Sequence, residues 1–399
     1  MVDIIRLAGD IATRDGQNLY LVGGVVRDLL LGRPNLDLDL VADSDAIALA
    51  RKLAAATGAG LTVHTRFNTA KLRWNRWDVD LATVRAETYD RPGALPRVRS
   101  GTLESDMFRR DFTINAQAID LTADRYGQLI DLYGGYADLE KRLIRVLHYK
   151  SFIDDATRIW RAIRYEQRFG FHLERKTKQW LIRDIPMLDT ISGDRIRHEI
   201  ELVLKEERPE KVLRRAGELE ALARLHPSLK ADGWLAAKFQ QARRPSENIT
   251  TDVYFALLCY RLTLVEAGQL VAYLNLPRKA VSVIEDTLRL KKNIKVLIEP
   301  DIPRSKIYNL LKEYSSVAVI ATRLATDSPL IKQRLALYLD RLCHIKPALT
   351  GNDLVKMGIQ PGPTIKDILQ KLLEARLDGK VRSRRGEVGM VKGKSSSPG

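Results

Sequence analysis

Hydrophobic positions change their period along the chain, and the changes mark out an opening unit. Residues 1–18 carry a helical pattern. The run Leu19–Val22 is continuously apolar, and the pair Gly23-Gly24 separates it from a short helix, Val25–Leu31, stopped by Gly32. A second strand follows over Leu36–Val41. Side chains alternate along a strand, so Asp37 and Asp39 share one face while Leu36, Leu38 and Leu40 take the other. Asp43–Thr57 is alanine-rich and amphipathic, a helix covering the sheet that stops at Gly58. Leu61–Thr65, Ala70–Trp74 and Trp77–Val84 read as strands. The last two are joined by a tight Asn75-Arg76 turn, and the third sets Asp78 and Asp80 on one face.

The pattern then breaks. Residues 85–105 hold two prolines, two glycines and several charges, which predicts a long mobile loop. In Arg109–Asp120 two arginines precede an expected helix that would place Asp111 and Asn115 one turn apart, and 124–135 closes the unit with a glycine-rich turn. From Lys141 the periodicity is helical almost throughout. In 151–171 Ser151 is expected to cap a helix in a capping box with Asp154, Asp155 and Arg158 to share a face, and Ile159, Ala162 and Ile163 to form the buried stripe. Arg158, Arg161, Arg164 and Arg168 bring more positive charge than such a helix needs for itself. Residues 190–205 form another helix begun by Ser192 or Asp194, and 206–345 read as a helical scaffold. In 351–385 the break Pro361-Gly362-Pro363 separates two helices before a basic cluster, and the end from Lys392 is expected to be disordered. The expected class is therefore α+β, a mixed sheet followed by all-α segments.

The chemistry concentrates on the first two strands. Two adjacent carboxylates on a rigid support favour a neutralising cation, and hard oxygen ligands suit magnesium. The backbone N–H groups at Gly23-Gly24, opening a helix, suit a phosphate. A glycine pair, twelve residues, then Asp-x-Asp resembles the nucleotidyltransferase superfamily that includes DNA polymerase beta. Charge points the same way: 399 residues carry a net +16 at a pI near 9.7, which calls for a polyanionic partner, nucleic acid first. No run of eighteen apolar residues exists, so no membrane partner is expected and a cytoplasmic location is. Cys259 and Cys343 are far apart and read as reduced core residues, and the six histidines are scattered.

Taken in order, GGVVRD with DLDLV, RAETYDRPGALP, RRDFTINA, DRYGQLIDLYGG, DDATRIWRAIRY, DRIRHEI and GNDLVKMGIQPGP resemble the class II CCA-adding enzymes, the tRNA nucleotidyltransferases, and their relatives the bacterial poly(A) polymerases. The resemblance implies a catalytic head over 1–140, a base-recognising neck over 141–205, a helical body over 206–345 and a tRNA-binding tail over 346–399. It implies that Asp37 and Asp39 bind Mg2+ with Asp80 as the third catalytic carboxylate. Gly23, Gly24, Arg27, Arg110, Asp111, Asn115 and Arg161 would hold the nucleotide, and Asp155 with Arg158 would read its base. The implied reaction adds CMP, CMP and AMP from CTP and ATP to a tRNA 3′ end, releasing pyrophosphate, by a monomer or homodimer. Poly(A) synthesis, or addition of CC alone or A alone, stays open at this point.

Overall fold

A computed structural model describes residues 2–65, 68–244 and 249–393, in two compact units, Met1–Arg224 and Leu225–Gly399. The first opens in the predicted order with α1 (Val2–Arg14), β1 (Leu19–Val22), α2 (Gly24–Leu30), β2 (Asp37–Ala42), α3 (Ala46–Thr57), β3 (Gly60–His64), β4 (Thr69–Trp74) and β5 (Trp77–Thr83). Asp45 caps α3 by accepting from the Ile47 and Ala48 N–H groups, and Gly58 ends it in the left-handed region. Next come β6 (Arg85–Thr88), β7 (Arg97–Ser100), α4 (Leu103–Phe108), β8 (Ala118–Asp120) and β9 (Leu129–Ile130). Seven strands form one mixed sheet in the order β3-β4-β5-β2-β1-β8-β9. Only β2 and β5 run parallel among these neighbours, and their register sets Asp37 beside Asp78 and Asp39 beside Asp80.

The period of two decides what each face does. Leu38, Leu40, Leu72, Val79 and Leu81 join Ile4, Ala8, Leu49 and Leu53 in the core beneath α1 and α3. Tyr20, Val22 and Val41 pack on the opposite face with Met107 and Ala118, and Asp39 and Asp80 share that face's parity. Leu36, expected inside, precedes β2 and is exposed.

Two local expectations fail here. Arg85–Thr88 pairs with Arg97–Ser100 as β6 against β7, and Thr102 opens α4 with a capping box to Ser105. Periodicity was silent because β7 is exposed along its whole length, leaving no apolar alternation to read. The expected helix after Arg110 is only a 3₁₀ turn, Thr113–Asn115, before β8.

The rest of this unit is helical: α5 (Gly135–Glu140), α6 (Ser151–Asp154), α7 (Thr157–Phe169), α8 (Arg175–Asp184), α9 (Gly193–Leu204) and α10 (Pro209–Glu218), with β10 (Leu143–Ile144) and β11 (His172–Leu173) paired in parallel. Ile159, Ala162 and Ile163 are buried as predicted. Ser151 is not a cap. Lys150 holds that position without a side-chain bond, and the Ser151 hydroxyl instead accepts from Arg158 Nη1 at 2.7 Å. Asp155 sits in extended backbone between α6 and α7, so it and Arg158 do not share a helix face. The surplus arginines have internal partners: Arg164 lies between Glu199 and Glu206, and Arg168 pairs with Glu206 at 2.7 Å.

In the second unit α11 (Gly233–Ala242), α12 (Thr251–Cys259), α13 (Leu264–Tyr273), α14 (Arg278–Asn293), α15 (Arg304–Leu311), α16 (Ser316–Ala325) and α17 (Pro329–Asp340) precede α18 (Gly351–Lys356), α19 (Pro363–Leu377) and α20 (Arg384–Lys392). The Pro-Gly-Pro break falls between α18 and α19, as expected. The basic cluster leads into α20, which the sequence reading left out. Its Glu387 is fully buried, accepting from the Ala348 and Leu349 N–H groups and from Arg376 at 2.7 Å, which clasps α20 to α19. Residues 394–399 of the expected disordered end lie outside the described residues. Among the described residues both cysteines are unpaired by disulfides, and no helix is long and apolar enough to cross a membrane.

Candidate active site

A cleft of about 720 Å³ in the first unit is lined by Gly23, Gly24, Arg27, Asp39, Lys71 and Asp80 on one side. Arg109, Arg110, Asp111, Asn115, Asp155, Arg158 and Arg161 also line it. The turn from β1 into α2 forms its floor. Gly23 adopts φ 77°, ψ −136°, a conformation side chains resist, and a β-carbon there would lie 2.7 Å from Arg110 Nη1. The glycine therefore lets the Arg110 guanidinium lie against the backbone within reach of Asp39.

Asp39 and Asp80 face the cleft from adjacent parallel strands. Burial pushes the Asp39 carboxyl up, Arg110 opposes this, and Asp80 and Asp37 push it further up. Asp80 meets Lys71 at 3.5 Å. Asp37 is exposed where the strand begins and does not line the cleft. Crowded, incompletely neutralised carboxylates offer the hard oxygen donors that a divalent cation would take. Among the described residues no group of three ligating side chains is preassembled, so the fit is to a shared site.

Around this pair runs a buried network. Asp106, fully buried, accepts from Arg109 Nη2 at 2.6 Å and Arg110 Nη2 at 3.0 Å, so one carboxylate splays both arginines. Arg27, expected on the nucleotide, is buried: its Nη1 donates to Asn115 Oδ1 at 2.6 Å, and its guanidinium lies 4.6 Å from the Phe169 ring centroid. Asn115 Nδ2 donates to Asp111 Oδ1 at 2.9 Å, and Arg161 Nε donates to Asp111 Oδ2 at 2.8 Å. Burial alone would raise the Asp111 carboxyl, but Arg161 and the Asn115 hydrogen bond overrule it and hold the group down at about 2. Asp111 and Asn115 thus meet as predicted, although through a 3₁₀ turn, and their oxygens serve Arg161 and Arg27.

Arg158 is held rigidly, with Nη1 on Ser151 and Nη2 on the Arg109 carbonyl at 2.6 Å. Asp155 Oδ1 accepts from Thr157 N–H and hydroxyl and from Arg195 Nη2 at 2.7 Å; none of these reaches Oδ2. Arg195 Nη1 also donates to the Gly93 carbonyl at 3.2 Å, and Gly93 packs so closely on Thr190 that a β-carbon would lie 2.4 Å from the Thr190 oxygen. The segment expected to be mobile is therefore seated on α9 and the turn before it. Glu87 fixes its other end, at 3.3 Å from Arg109 and 3.1 Å from Arg85. Sequence reasoning missed Asp106, Arg195 and Glu87. Only Asp106 had a local signal, its spacing three and four residues before two arginines on a helix.

Comparison with known proteins agrees with this geometry. The Poly A polymerase head domain model matches residues 19–145, and the model of the probable RNA and SrmB-binding site of polymerase A matches 170–232. The A-adding tRNA nucleotidyltransferase of Geobacter sulfurreducens is 34% identical over 97% of this chain, which spans about half the length of that relative (46%). The A-adding tRNA nucleotidyltransferase of Halalkalibacterium halodurans is 32% identical, covering 92% of this chain and 86% of its own length. The solved Thermotoga maritima CCA-adding enzyme complexed with tRNA superimposes with a TM-score of 0.77 at 30% identity, over 99% of this chain and 95% of that one. With sheet, cleft and sequence in agreement over nearly its whole length, the chain belongs to the tRNA nucleotidyltransferase family.

Proposed function

We propose that the protein adds nucleotides to the 3′ end of tRNA, using CTP and ATP to complete the terminal CCA. The carrying observation is that one cleft joins the Asp39–Asp80 edge of the sheet to Arg110 and to the rigid Asp155–Arg158 pair. Asp37 and Asp39 with Asp80 are the proposed holders of Mg2+, which when bound neutralises phosphate charge and lowers the pKa of an attacking hydroxyl. The N–H groups at Gly23 and Gly24 and the Arg110 fork orient the triphosphate. Arg158, immobilised by Ser151 and the Arg109 carbonyl, donates to ring acceptors of cytosine or adenine. Asp155 accepts from the exocyclic amino group both bases carry. Guanine and uracil present the opposite pattern and would leave these groups unpaired. Asp111, Asn115, Arg27 and Arg161 act behind this edge, fixing α2 and α7 in register. The four-part division into head, neck, body and tail belongs to the same proposal, as do work in the cytoplasm and RNA contacts by the tail.

A second reading, addition of AMP alone, is favoured by the two relatives above, both named A-adding enzymes. Single-nucleotide incorporation onto tRNA ending before CCA, after C and after CC separates the two. Incorporation of CMP onto the first two substrates and of AMP onto the third supports CCA addition. AMP on the third alone supports the second reading, and no incorporation on any refutes both.

A further inference from the structure

Next in the chain to cleft-lining Arg109 begins a group of rings that the chemistry above does not use. Phe108 closes α4 and is 44% exposed, in contrast to Phe112 and Phe152, which are fully buried. Its ring stacks on His148 at 4.9 Å with 29° between planes and meets Tyr133 at 5.9 Å. Packing explains Tyr133, which joins the core beneath the sheet, but it does not explain an outward phenylalanine. Cations flank the group. Arg109 follows Phe108 directly and lines the cleft, Arg158 bonds the Arg109 carbonyl, and exposed Lys150 lies two residues after His148 with its Nζ 5.7 Å from the Tyr149 ring.

We propose that Phe108, Tyr133 and His148 form a stacking platform for the unpaired bases at the 3′ end of the RNA substrate. The inference rests on RNA being the acceptor and goes beyond it by assigning the surface that presents the acceptor strand. An exposed ring beside fixed guanidinium groups suits single-stranded RNA, because every base offers a π face while its phosphates need cations. The His148 ring suits stacking as a neutral group: burial, reinforced by Arg158 and Lys150, lowers its pKa to about 4. Exposed Lys150 thus stays available for a phosphate while the imidazole is uncharged. A platform indifferent to base identity also matches an acceptor whose terminal nucleotide changes after each addition.

Fluorescence anisotropy on the full chain without nucleotide tests this, with an RNA stem-loop carrying a short 3′ overhang and the same stem ended blunt. Wild type binds the overhang RNA more tightly. Phe108→Ala weakens overhang binding roughly ten-fold and leaves blunt binding unchanged, since one stacked base is lost, whereas Phe108→Trp retains the preference. Phe108→Ala indistinguishable from wild type overturns the platform. Equal weakening for both RNAs, with a lowered Tm that Phe108→Leu restores, also overturns it and makes the ring a packing residue. If wild type binds both RNAs equally, the platform fails alone; if it binds neither, the assignment of RNA as substrate fails with it.

Discussion

Asp111→Asn is the sharpest test of the network behind the cleft. The substitution keeps the volume and removes one charge that Arg161 contacts through Nε and Nη2. Folding moves the Asp111 carboxyl from 3.8 to about 2. Nearly two units correspond to roughly 2.5 kcal/mol favouring the ionised folded form. Arg161 keeps Glu199 at 3.9 Å and is about one-third exposed, so the loss should fall at or below the lower end of the range of about 3 to 5 kcal/mol for removing one partner of a buried pair. We expect urea unfolding, followed by tryptophan fluorescence, to give a destabilisation of about 2 to 3 kcal/mol at pH 7. The pH dependence has a definite sign. The folded pKa is depressed, so the contribution is complete above 3.8 and is lost as pH falls through about 2. The gap between wild type and variant should hold from pH 7 to about 5 and narrow below about 4. Glu199→Gln should cost much less, because burial raises the Glu199 carboxyl and its ionised form is disfavoured from the outset. A variant as stable as wild type at pH 7, or a gap that stays constant into acid, would refute the assignment.

Other outcomes are expected elsewhere. Asp39→Asn should abolish nucleotide transfer yet raise the Tm without metal, because a carboxyl with a raised folded pKa costs stability when ionised at neutral pH; a lowered Tm would contradict this. Gly23→Ala should cost about 1 to 3 kcal/mol in backbone strain and displace Arg110, slowing incorporation of CTP and ATP alike, and an unchanged rate would show the turn to be tolerant. Replacing Tyr89–Pro96 by a short Gly-Ser linker removes the Gly93 contact to Arg195 and should depress AMP incorporation onto tRNA ending in CC more than CMP incorporation; equal loss would make the segment a fold element. Glu387→Gln leaves Arg376 and two N–H groups with a weaker acceptor, so limited proteolysis should cut near α20 sooner at about 2 to 4 kcal/mol lower local stability, and an unaltered cleavage pattern would deny the clasp.

The sequence by itself determined β1 to β5, the glycine turn and the placing of Asp39 on the face opposite Leu38 and Leu40, because a period of two under a covering helix leaves each side chain one permitted face. It also placed α3, the stripe of α7 and the Pro-Gly-Pro break, whose signals lie within a few residues of one another. Only the tertiary structure decided where long polar side chains end. Arg161 reaches Asp111 fifty residues away, Arg195 reaches Asp155 across forty, and Arg164 is absorbed by Glu199 and Glu206. A series of arginines on one helix looks the same in sequence whether it awaits a ligand or is neutralised by a neighbouring helix. Segment 85–100 shows the same limit in the backbone: its order comes from β6–β7 hydrogen bonds and from Glu87 and Gly93 meeting distant partners, and none of these leaves a local periodicity. Local patterns record which face is buried against the core, whereas hydrogen bonds and ion pairs between elements depend on which surfaces folding brings together.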